Sequence, residues 1–334
     1  MNSYERVMKR LDGCETDRIP NMNIIMQFAS KQIGAKYGEY CMDYRLLVEG
    51  NLYCCERFGI DAVSVISDPC REAGAFGQSI DYPPDGVPNI RGVIVEEYND
   101  LKNLRCSHSE DFPRLKDRIL AVESFKRQVK GEYPIIGWVE GPFAEAADLR
   151  GVQNILMDTI LEPDFVKGIM DITLEQATLF AKEQVDAGAD IIGVGDAAAS
   201  LVGPQIYEEI VLPYESELLK RIKEMNTKTK LHICGNIEPY LEILPVEYCD
   251  IIDLDWMVSI KKAIALHGNR VSFSGNVNPV LILQLEQSEL EKIITETITA
   301  ASANPRYIFA GGCEIPRDTP EDNMTLIAKI LKEA

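Results

Sequence analysis

Residues 189–234 read ADIIGVGDAAASLVGPQIYEEIVLPYESELLKRIKEMNTKTKLHIC, and this stretch decides the fold. Two short apolar runs, Ala189–Gly195 and Lys230–Cys234, enclose the segment Pro204–Met225, in which apolar residues recur with the period of a helix. A strand, a helix and a second strand in this order predict parallel pairing, with each strand buried on both faces.

The same alternation extends over the whole chain. The predicted strands are Asn23–Met26, Asp61–Ser67, Pro134–Glu140, Ala189–Gly195, Lys230–Cys234, Ile251–Asp255, Val271–Ser274 and Tyr307–Ala310. Helical stretches such as Phe165–Ala187 and Pro320–Glu333 accompany them. Eight such units over roughly 250 residues or more are typical of an α/β fold of the (β/α)8 TIM-barrel type. A doubly wound open sheet is the alternative, but it requires an early glycine-rich loop, and the first strand leads into QFASKQIG.

We expect residues 1–334 to form a single TIM-barrel domain, because no linker, internal repeat or low-complexity tract interrupts the pattern. Residues 1–20 are predicted to be an N-terminal helical extension. Its helix, Ser3–Leu11, stops at Asp12-Gly13 and is expected to cap one end of the barrel. The segment Glu72–Asn89 is predicted to be a long excursion after a strand, with a turn at residues 82–86.

Charge and hydropathy exclude several classes of function. The chain has 53 Asp and Glu against 34 Lys and Arg, a formal net charge of −19 that repels phosphate backbones and argues against nucleic acid as a partner. The same charge argues against a substrate with many carboxylates. No apolar run approaches the roughly 20 residues that span a bilayer, and the start MNSYERVMKRLDG lacks a signal core. We therefore predict a cytoplasmic protein without a membrane segment.

The nine cysteines predict reduced thiols rather than a disulfide framework, since their number is odd and no secretory signal precedes them. Seven of them are interpreted as packing or surface residues: Cys14, Cys41, Cys54, Cys55, Cys70, Cys106 and Cys249. The other two, Cys234 and Cys313, lie in a different pattern.

Polar or metal-binding residues stand where the apolar runs end, at the positions where barrels of this type place their active sites. They are Asp68, Glu140, Asp196, His232 with Cys234, Asp255, Asn276 and Cys313. The alternative for any single Asp or Asn is a helix N-cap after a strand. Histidine and cysteine are poor caps, so capping does not account for the whole set.

The strongest local signal is His232-Ile233-Cys234. Residues i and i+2 of a strand point to the same side, so both side chains can face one ion. Cys313 follows the last strand, which lies beside the first in a closed barrel. One imidazole and two thiolates suit a tetrahedral zinc with an open fourth position, as in catalytic sites. The alternative is a buried histidine with two thiols in the core.

The chain lacks the cobalamin-binding motif at His232, and its other two histidines are expected to have no functional role. Cobalamin-binding domains use D-x-H-x-x-G, but Lys230 stands where the aspartate is required before His232. His108 and His267 lie in polar stretches beside helices and are predicted to be surface residues.

The chain resembles the uroporphyrinogen decarboxylase superfamily, and within it the zinc-dependent corrinoid methyltransferases of the methylcobamide:coenzyme M type. The resemblance covers nearly the whole chain. It includes ERVMKRLDG, TDRIP, DAVSVISDPCREAGAFG, EGPFAEAADLRG, LHICGN, DLDWMVSIKKAIALHGNRVSFSGNVNP and GGCEIPRDTPEDN. The pairing of H-x-C with a distant G-G-C and P-x-x-T-P-x-x-N is specific to the methyltransferases. The resemblance implies a TIM barrel, zinc, and a cobalamin or other corrinoid carried by a partner protein.

The resemblance also implies roles for single residues. It makes His232, Cys234 and Cys313 the zinc ligands and Glu140 the candidate for a fourth, exchangeable ligand. Asp68 falls near the catalytic aspartate of the decarboxylases, and Asp255 is the second predicted catalytic residue. Asp196, Asn276 and Glu72 are predicted to contact substrate or corrinoid, although Asp196 and Asp255 could equally cap helices or orient neighbouring groups.

Two departures argue against a porphyrinogen substrate. The decarboxylases carry an arginine-rich stretch after the first strand, whereas this chain reads NMNIIMQFASKQIG, and Asn278 replaces an aspartate of their GN-x-D-P pattern. The expected reaction moves a methyl group between a methyl-corrinoid protein and a zinc-bound thiol such as coenzyme M. The alternatives are demethylation of a methoxylated compound or methylamine onto cobalt(I), a metal-free decarboxylase, and a metal-free binding protein. Direction, donor, acceptor and oligomeric state are left open.

Overall fold

The computed structural model describes residues 1–334 and is an α/β fold around a seven-stranded parallel sheet, with the strand order β1-β4-β5-β6-β7-β8-β9. The strands are β1 (Val63–Ser64), β4 (Ile135–Glu140), β5 (Ile191–Gly195), β6 (Lys228–His232), β7 (Ile251–Asp253), β8 (Ser272–Val277) and β9 (Ile308–Gly311). A separate antiparallel hairpin contains β2 (Ser79–Asp81) and β3 (Asn89–Arg91).

Fifteen α-helices surround the strands. They are α1 (Ser3–Leu11), α2 (Met26–Gln32), α3 (Tyr37–Met42), α4 (Tyr44–Phe58), α5 (Arg71–Ala75), α6 (Pro113–Val129), α7 (Pro142–Arg150), α8 (Val152–Leu161), α9 (Pro163–Ala187), α10 (Pro204–Ile206), α11 (Leu212–Glu224), α12 (Ile260–His267), α13 (Pro279–Gln284), α14 (Gln287–Ala301) and α15 (Glu321–Glu333). Short 3-10 helices occupy Tyr98–Asn103, Ser109–Asp111, Ala197–Leu201 and Glu238–Tyr240. None of the helices is long and apolar enough to cross a bilayer.

The central strands are buried on both faces, as their apolar composition predicts. Every residue of β4, β5 and β9 is buried, and one hydrophobic cluster extends from Val7 of α1 to Leu331 of α15. Because all seven strands run in the same direction, their carboxyl ends meet at one edge of the sheet. The predicted site residues follow those ends.

The predicted strand Asn23–Met26 does not form. A single bridge joins Asn21 to Phe309, and the Asn21 carbonyl accepts a 2.7 Å hydrogen bond from the Asp61 backbone N–H, so residues 20–22 connect β9 to the start of β1. Beyond Met22 the Asn23 side chain accepts the Gly311 N–H at 2.6 Å in place of a backbone carbonyl, and α2 begins at Met26. The apolar run is therefore divided between a bridge and a helix.

The N-terminal helix forms over the predicted residues, with Asn2 and Glu5 in a reciprocal capping box. Arg6 of this helix donates to Asp61 at 2.7 Å, and Arg10 donates to the Tyr307 carbonyl at 2.8 Å. Both acceptors precede strands, so α1 contacts the amino ends of β1 and β9. That it caps a barrel stays a prediction.

The predicted helix Pro204–Met225 is interrupted. It consists of α10, a π-helical turn at Tyr207–Val211, and α11. Pro213 in the first turn of α11 has no N–H to donate to the preceding turn, which explains the local change of hydrogen-bonding pattern. The excursion Glu72–Asn89 contains most of α5 and β2 and reaches β3, and its predicted turn lies at residues 84–86.

Candidate metal centre and its cleft

His232, Cys234 and Cys313 bring three ligand atoms together at the carboxyl edge of the sheet. The His232 Nε2 lies 3.1 Å from the Cys234 Sγ and 3.9 Å from the Cys313 Sγ, and the two sulfur atoms are 3.9 Å apart. Tetrahedral zinc with ordinary Zn–S and Zn–N bonds requires separations of roughly 3.6–3.8 Å between these atoms. The two distances to the Cys313 Sγ are close to these values, whereas the His232–Cys234 pair would have to open by about 0.5 Å to hold the ion. The donor set, one imidazole and two thiols, is one that zinc prefers.

The neighbouring loops hold this arrangement close to the sheet. His232 is the last residue of β6, and the loop after it is tied down by a 2.8 Å hydrogen bond from the Gly235 N–H to Asp255 Oδ2. Cys313 follows Gly312, where an added Cβ would lie 2.2 Å from the Trp256 backbone nitrogen. Only glycine permits this approach, which brings the loop after β9 against the loop after β7.

Asp253 orients the imidazole, and sequence reasoning missed it. Its Oδ2 lies 3.2 Å from His232 Nδ1, so the other ring nitrogen faces the two thiols. A carboxylate behind a ligating histidine is the usual support of a zinc site. The same oxygen forms an ion pair with the Lys230 Nζ at 2.9 Å, and both side chains are buried. Lys230 and His232 lie on the same face of β6, and a buried lysine beside a histidine indicates that an acid is near. The acid lies on the next strand, β7, so the sequence did not show which acid it is.

The electrostatics of the cluster favour a thiolate. A hydrogen bond from Cys234 lowers the pKa of Cys313 to about 4, and the imidazole acts in the same direction. Burial would lower the pKa of His232, but the adjacent sulfur atoms and Asp253 raise it well above its usual range. Burial also opposes ionisation of Asp253, yet Lys230 and His232 hold its pKa below the usual value. The neighbouring groups thus stabilise a thiolate at Cys313, a protonated His232 and an ionised Asp253.

The three donor side chains line one cleft. Its wall is formed by Ile24, Met26, Ile66, Asp68, Pro69, Trp138, Glu140, Gly195, Ala197, His232, Cys234, Cys313 and Glu314. Five of the predicted site residues therefore share one cavity: Asp68, Glu140, His232, Cys234 and Cys313. Sequence reasoning missed Glu314, which follows Cys313 directly.

Asp68 reaches the cleft as half of a buried ion pair. Its Oδ2 accepts hydrogen bonds from Arg114 and, at 2.7 Å, from the Ser67 hydroxyl. Burial opposes its ionisation, but Arg114 and Arg71 hold the pKa of Asp68 below its usual range. The arginines come from α5 and α6, far from the first strand where arginines were sought in the sequence.

Glu140 lines the cleft but does not belong to the metal-binding group. Its Oε1 lies 3.5 Å from Arg71 Nη2, and its backbone N–H donates to Glu72 Oε1 at 3.0 Å. Burial and the neighbouring Glu72 raise the pKa of Glu140 well above its usual range. Glu72 itself does not line the cleft. Its role in substrate binding, and that of Glu140 as fourth ligand, stay predictions.

Asp255 and Asn276 support loops and do not line the cleft. Asp255 accepts the Gly235 N–H described above, while the Asn276 amide donates to the carbonyls of Asp255 at 3.1 Å and Val258 at 2.6 Å. These bonds position the loop after β7 beside the metal-binding residues. Their predicted catalytic and binding roles stay predictions.

Asp196 caps a neighbouring helix. It is fully buried, and its carboxylate accepts the backbone N–H groups of Ala144 at 2.8 Å and Phe143 at 3.4 Å, in the first turn of α7. A Cβ on Gly141 would lie 2.4 Å from its Oδ2, so the residue before the helix must be glycine. The capping alternative thus describes what Asp196 does, although the capped helix follows β4 and not β5.

Replacing Asp196 tests this capping role. Burial raises the pKa of Asp196 from 3.8 to about 7, so the folded state disfavours the carboxylate and loses stability as the pH rises from about 4 to about 7. We expect Asp196→Asn, which keeps an acceptor without the charge, to gain stability relative to the wild type over that window in urea unfolding. Asp196→Ala should lose about 1 kcal/mol relative to Asp196→Asn. Equal pH profiles for the wild type and Asp196→Asn would contradict the raised pKa, and equal stability of Asp196→Asn and Asp196→Ala would contradict the capping role.

The remaining histidines differ from one another. His108 is exposed beside Glu183, as predicted. The prediction for His267 is wrong, because this residue is buried and its Nε2 lies 2.5 Å from the Leu241 carbonyl. It ends α12, whose apolar face turns the ring inward. All nine cysteines are free thiols, and of the seven interpreted as packing or surface residues only Cys14 and Cys106 are exposed.

A curled parallel sheet with an imidazole–thiolate cluster at its carboxyl edge defines a class of α/β enzymes. The chain belongs to the uroporphyrinogen decarboxylase (URO-D) family, whose sequence profile matches residues 2–334.

The relatives in this family include two kinds of enzyme. A uroporphyrinogen decarboxylase of Carboxydothermus hydrogenoformans is 26% identical over 90% of this chain and 87% of its own length. The methylcobamide:CoM methyltransferase MtbA of Methanosarcina mazei is 29% identical over 82% of this chain and 80% of its own, and that of Methanosarcina acetivorans is 27% identical over 98% and 97%. A solved methyltransferase structure from Methanosarcina mazei has the same fold, with a TM-score of 0.90, 23% identity, and coverage of 100% and 99%.

Proposed function

We propose that this protein is a zinc-dependent methyltransferase that moves a methyl group between a methyl-corrinoid, carried by a partner protein, and a thiol bound at His232, Cys234 and Cys313. In this proposal the fold is the predicted (β/α)8 barrel. Residues 20–22 complete the barrel in place of the first predicted strand, and α1 is its cap. The observation that carries the proposal is the convergence of one imidazole and two thiols, whose ligand atoms all lie within 4.8 Å of one another. The MtbA relatives supply the class of reaction.

Zinc, when bound, would lower the pKa of a substrate thiol and keep the resulting thiolate nucleophilic. A methyl-corrinoid would supply the methyl group: a bond from the substrate sulfur to the methyl carbon would form as the cobalt–carbon bond broke, with its electron pair left on cobalt, which would go from cobalt(III) to cobalt(I). The chain's own residues prepare this step. Asp253 fixes the ring of His232, while Cys234 and Cys313 bring negative charge to the ion and leave one position for substrate.

We propose that exposed apolar residues in the segments after the strands bind the corrinoid. Leu201, Trp256, Met257 and Val280 are exposed, and they follow the carboxyl ends of β5, β7 and β8. Trp256 lies beside Gly312, next to the ligand Cys313. Exposed apolar groups concentrated beside a site mark a surface for binding. We assign this surface to the corrinoid and its carrier protein.

Trp256→Ser tests the docking surface. We expect methyl transfer from the corrinoid protein to slow by about ten-fold or more, since exposed tryptophans dominate many interfaces, while zinc content is unchanged. Leu266→Ser is a matched control, because Leu266 is also exposed but lies on α12, away from the strand ends. The rate is measured against the concentration of the partner. Equal effects of the two substitutions would argue against docking at Trp256.

Two alternatives are separated by one experiment. The same zinc could activate the leaving group of a methoxylated compound or a methylamine, with cobalt(I) as acceptor. A metal-free decarboxylase is kept as a candidate because decarboxylases of about a quarter identity cover most of the chain. The buried Asp68 beside Arg114 is then the residue to examine.

The experiment follows methylcobalamin in the presence of thiols, with zinc-loaded and metal-stripped protein. The proposal expects loss of the methyl–cobalt absorbance and formation of a methyl thioether only with the zinc-loaded protein. Methylation of cobalt(I) by a methoxylated compound or methylamine, without thiol activity, would support the reverse direction. Decarboxylation of uroporphyrinogen by the metal-stripped protein would replace the proposal by the decarboxylase.

A further inference from the structure

We propose that the thiol accepted at this site carries a neutral or positively charged tail, and that a thiol with an anionic tail is rejected. This inference rests on the proposed function and names the substrate class of the same cleft. Coenzyme M, the thiol in the name of the MtbA relatives, is 2-mercaptoethanesulfonate and therefore an anion. The cleft, by contrast, is lined by carboxyl groups and by no cationic side chain that could pair with an anionic tail.

Three carboxyl groups line the cleft: Asp68, Glu140 and Glu314. No lysine or arginine lines it, and the remaining wall is mostly apolar, with Ile24, Met26, Ile66 and Trp138. A sulfonate placed among these groups would lose its water without gaining a cation. Burial of an ion without a partner is strongly unfavourable.

The nearest arginines are not available to an anionic tail. Arg71 is fully buried and contacts the Asp68 carbonyl, Glu72 at 3.6 Å and Glu140 at 3.5 Å. Arg114 is also buried and is held by Asp68 and the Cys41 carbonyl. Both guanidinium groups stand behind the carboxylates that line the cleft, so an entering ligand meets the acids first.

Glu314 is the acid that discriminates between thiols with cationic and anionic tails. It follows Cys313 and forms no ion pair, and its Oε1 accepts only the Gln27 backbone N–H at 2.7 Å. Asp68 and Glu140, by contrast, each face an arginine. A thiol bound to an ion held by His232, Cys234 and Cys313 would extend its two-carbon tail into the cleft that the uncompensated Glu314 lines. An ammonium group at the end of that tail would pair with Glu314, and a sulfonate would be repelled.

Three thiols on one two-carbon skeleton test the inference: 2-aminoethanethiol, 2-mercaptoethanol and 2-mercaptoethanesulfonate. Protein loaded with Co²⁺ in place of zinc reports thiolate binding through its visible absorbance, without turnover. Titrations at mildly alkaline pH give a dissociation constant for each thiol. We expect 2-aminoethanethiol to bind at least about ten-fold more tightly than the sulfonate, with 2-mercaptoethanol between them.

Glu314→Gln separates tail charge from intrinsic differences among the thiols. The substitution removes one negative charge at nearly constant shape, so the ratio between the ammonium and sulfonate constants should shrink by several-fold. An unchanged ratio, at equal metal content, would overturn the role of Glu314. Equal or tighter binding of the sulfonate by the wild type would overturn the inference and leave the proposed function standing. If none of the three thiols changed the spectrum, the proposed function would fall, and this inference with it.

Discussion

Cys313→Ala is expected to abolish stoichiometric zinc binding. The wild type should retain about one zinc per chain when it is purified without added metal, because His232, Cys234 and Cys313 are the three proposed ligands and can supply the donor set of a catalytic zinc site. Removing one thiolate leaves two ligands, too few to hold the ion against dilution. Loss of a mere supporting group already weakens zinc sites about 10–100-fold, so loss of a ligand should exceed about 100-fold. Metal analysis and competition with a chromophoric chelator measure this affinity.

The control is Cys106→Ala, which removes an exposed thiol far from the cluster. It should keep full zinc content and full affinity. If the Cys313 and Cys106 variants retained equal zinc, the ion would lie elsewhere and the assignment of the ligands would be wrong. A wild type without zinc would return attention to the metal-free decarboxylase and to Asp68.

Asp253→Ala is expected to lower the free energy of unfolding by about 3–5 kcal/mol in the absence of zinc. The substitution leaves Lys230 as a buried cation without its partner, and it frees the ring of His232. Breaking one side of a buried ion pair has effects of this size because the other charge is stranded. The measurement is urea unfolding of chelator-treated protein, so that loss of metal does not contribute to the difference.

Two further variants divide stability from metal binding. Asp186→Ala breaks the exposed pair with Lys182 and should change the free energy of unfolding by less than about 1 kcal/mol. The double variant Lys230→Met/Asp253→Asn removes the stranded charge and should recover most of the stability. Its zinc affinity should stay about ten-fold or more below the wild type, since the carboxylate behind His232 is gone. Full recovery of zinc affinity would show that Asp253 serves only Lys230.

The arginines near Asp68 show why a departure in sequence has to be interpreted in three dimensions. The stretch after the first predicted strand contains no arginine, which argues against a polycarboxylate substrate. The structure does place Arg71 and Arg114 next to Asp68, but each is already bonded to acids or carbonyls. Since neither arginine lines the cleft, neither is available to bind the carboxylates of a polycarboxylate substrate.

Sequence alone determined the parallel strands after the first, the helix Ser3–Leu11, and the grouping of His232, Cys234 and Cys313. The strands and the helix follow from local periodicity, and the grouping of the three donors follows from the rule that parallel strands deliver their carboxyl ends to one edge. The predicted alternation along one strand does not apply to Cys234, because β6 ends at His232 and Cys234 lies in the loop after it. Each of these features depends on neighbours within a few residues or on a property of all parallel sheets.

Only the tertiary structure decided which acids serve which groups. Asp253 supports His232 from the next strand, Asp196 caps a helix that follows another strand, and Glu314 faces the cleft without a cation. The structure also replaces the first predicted strand, Asn23–Met26, by a single bridge at Asn21 and by α2, which begins at Met26. Such pairings join residues far apart in the chain, and many acids have equal local claims to each partner. Only packing, which brings one carboxylate within hydrogen-bonding distance and excludes the others from contact, selects among them.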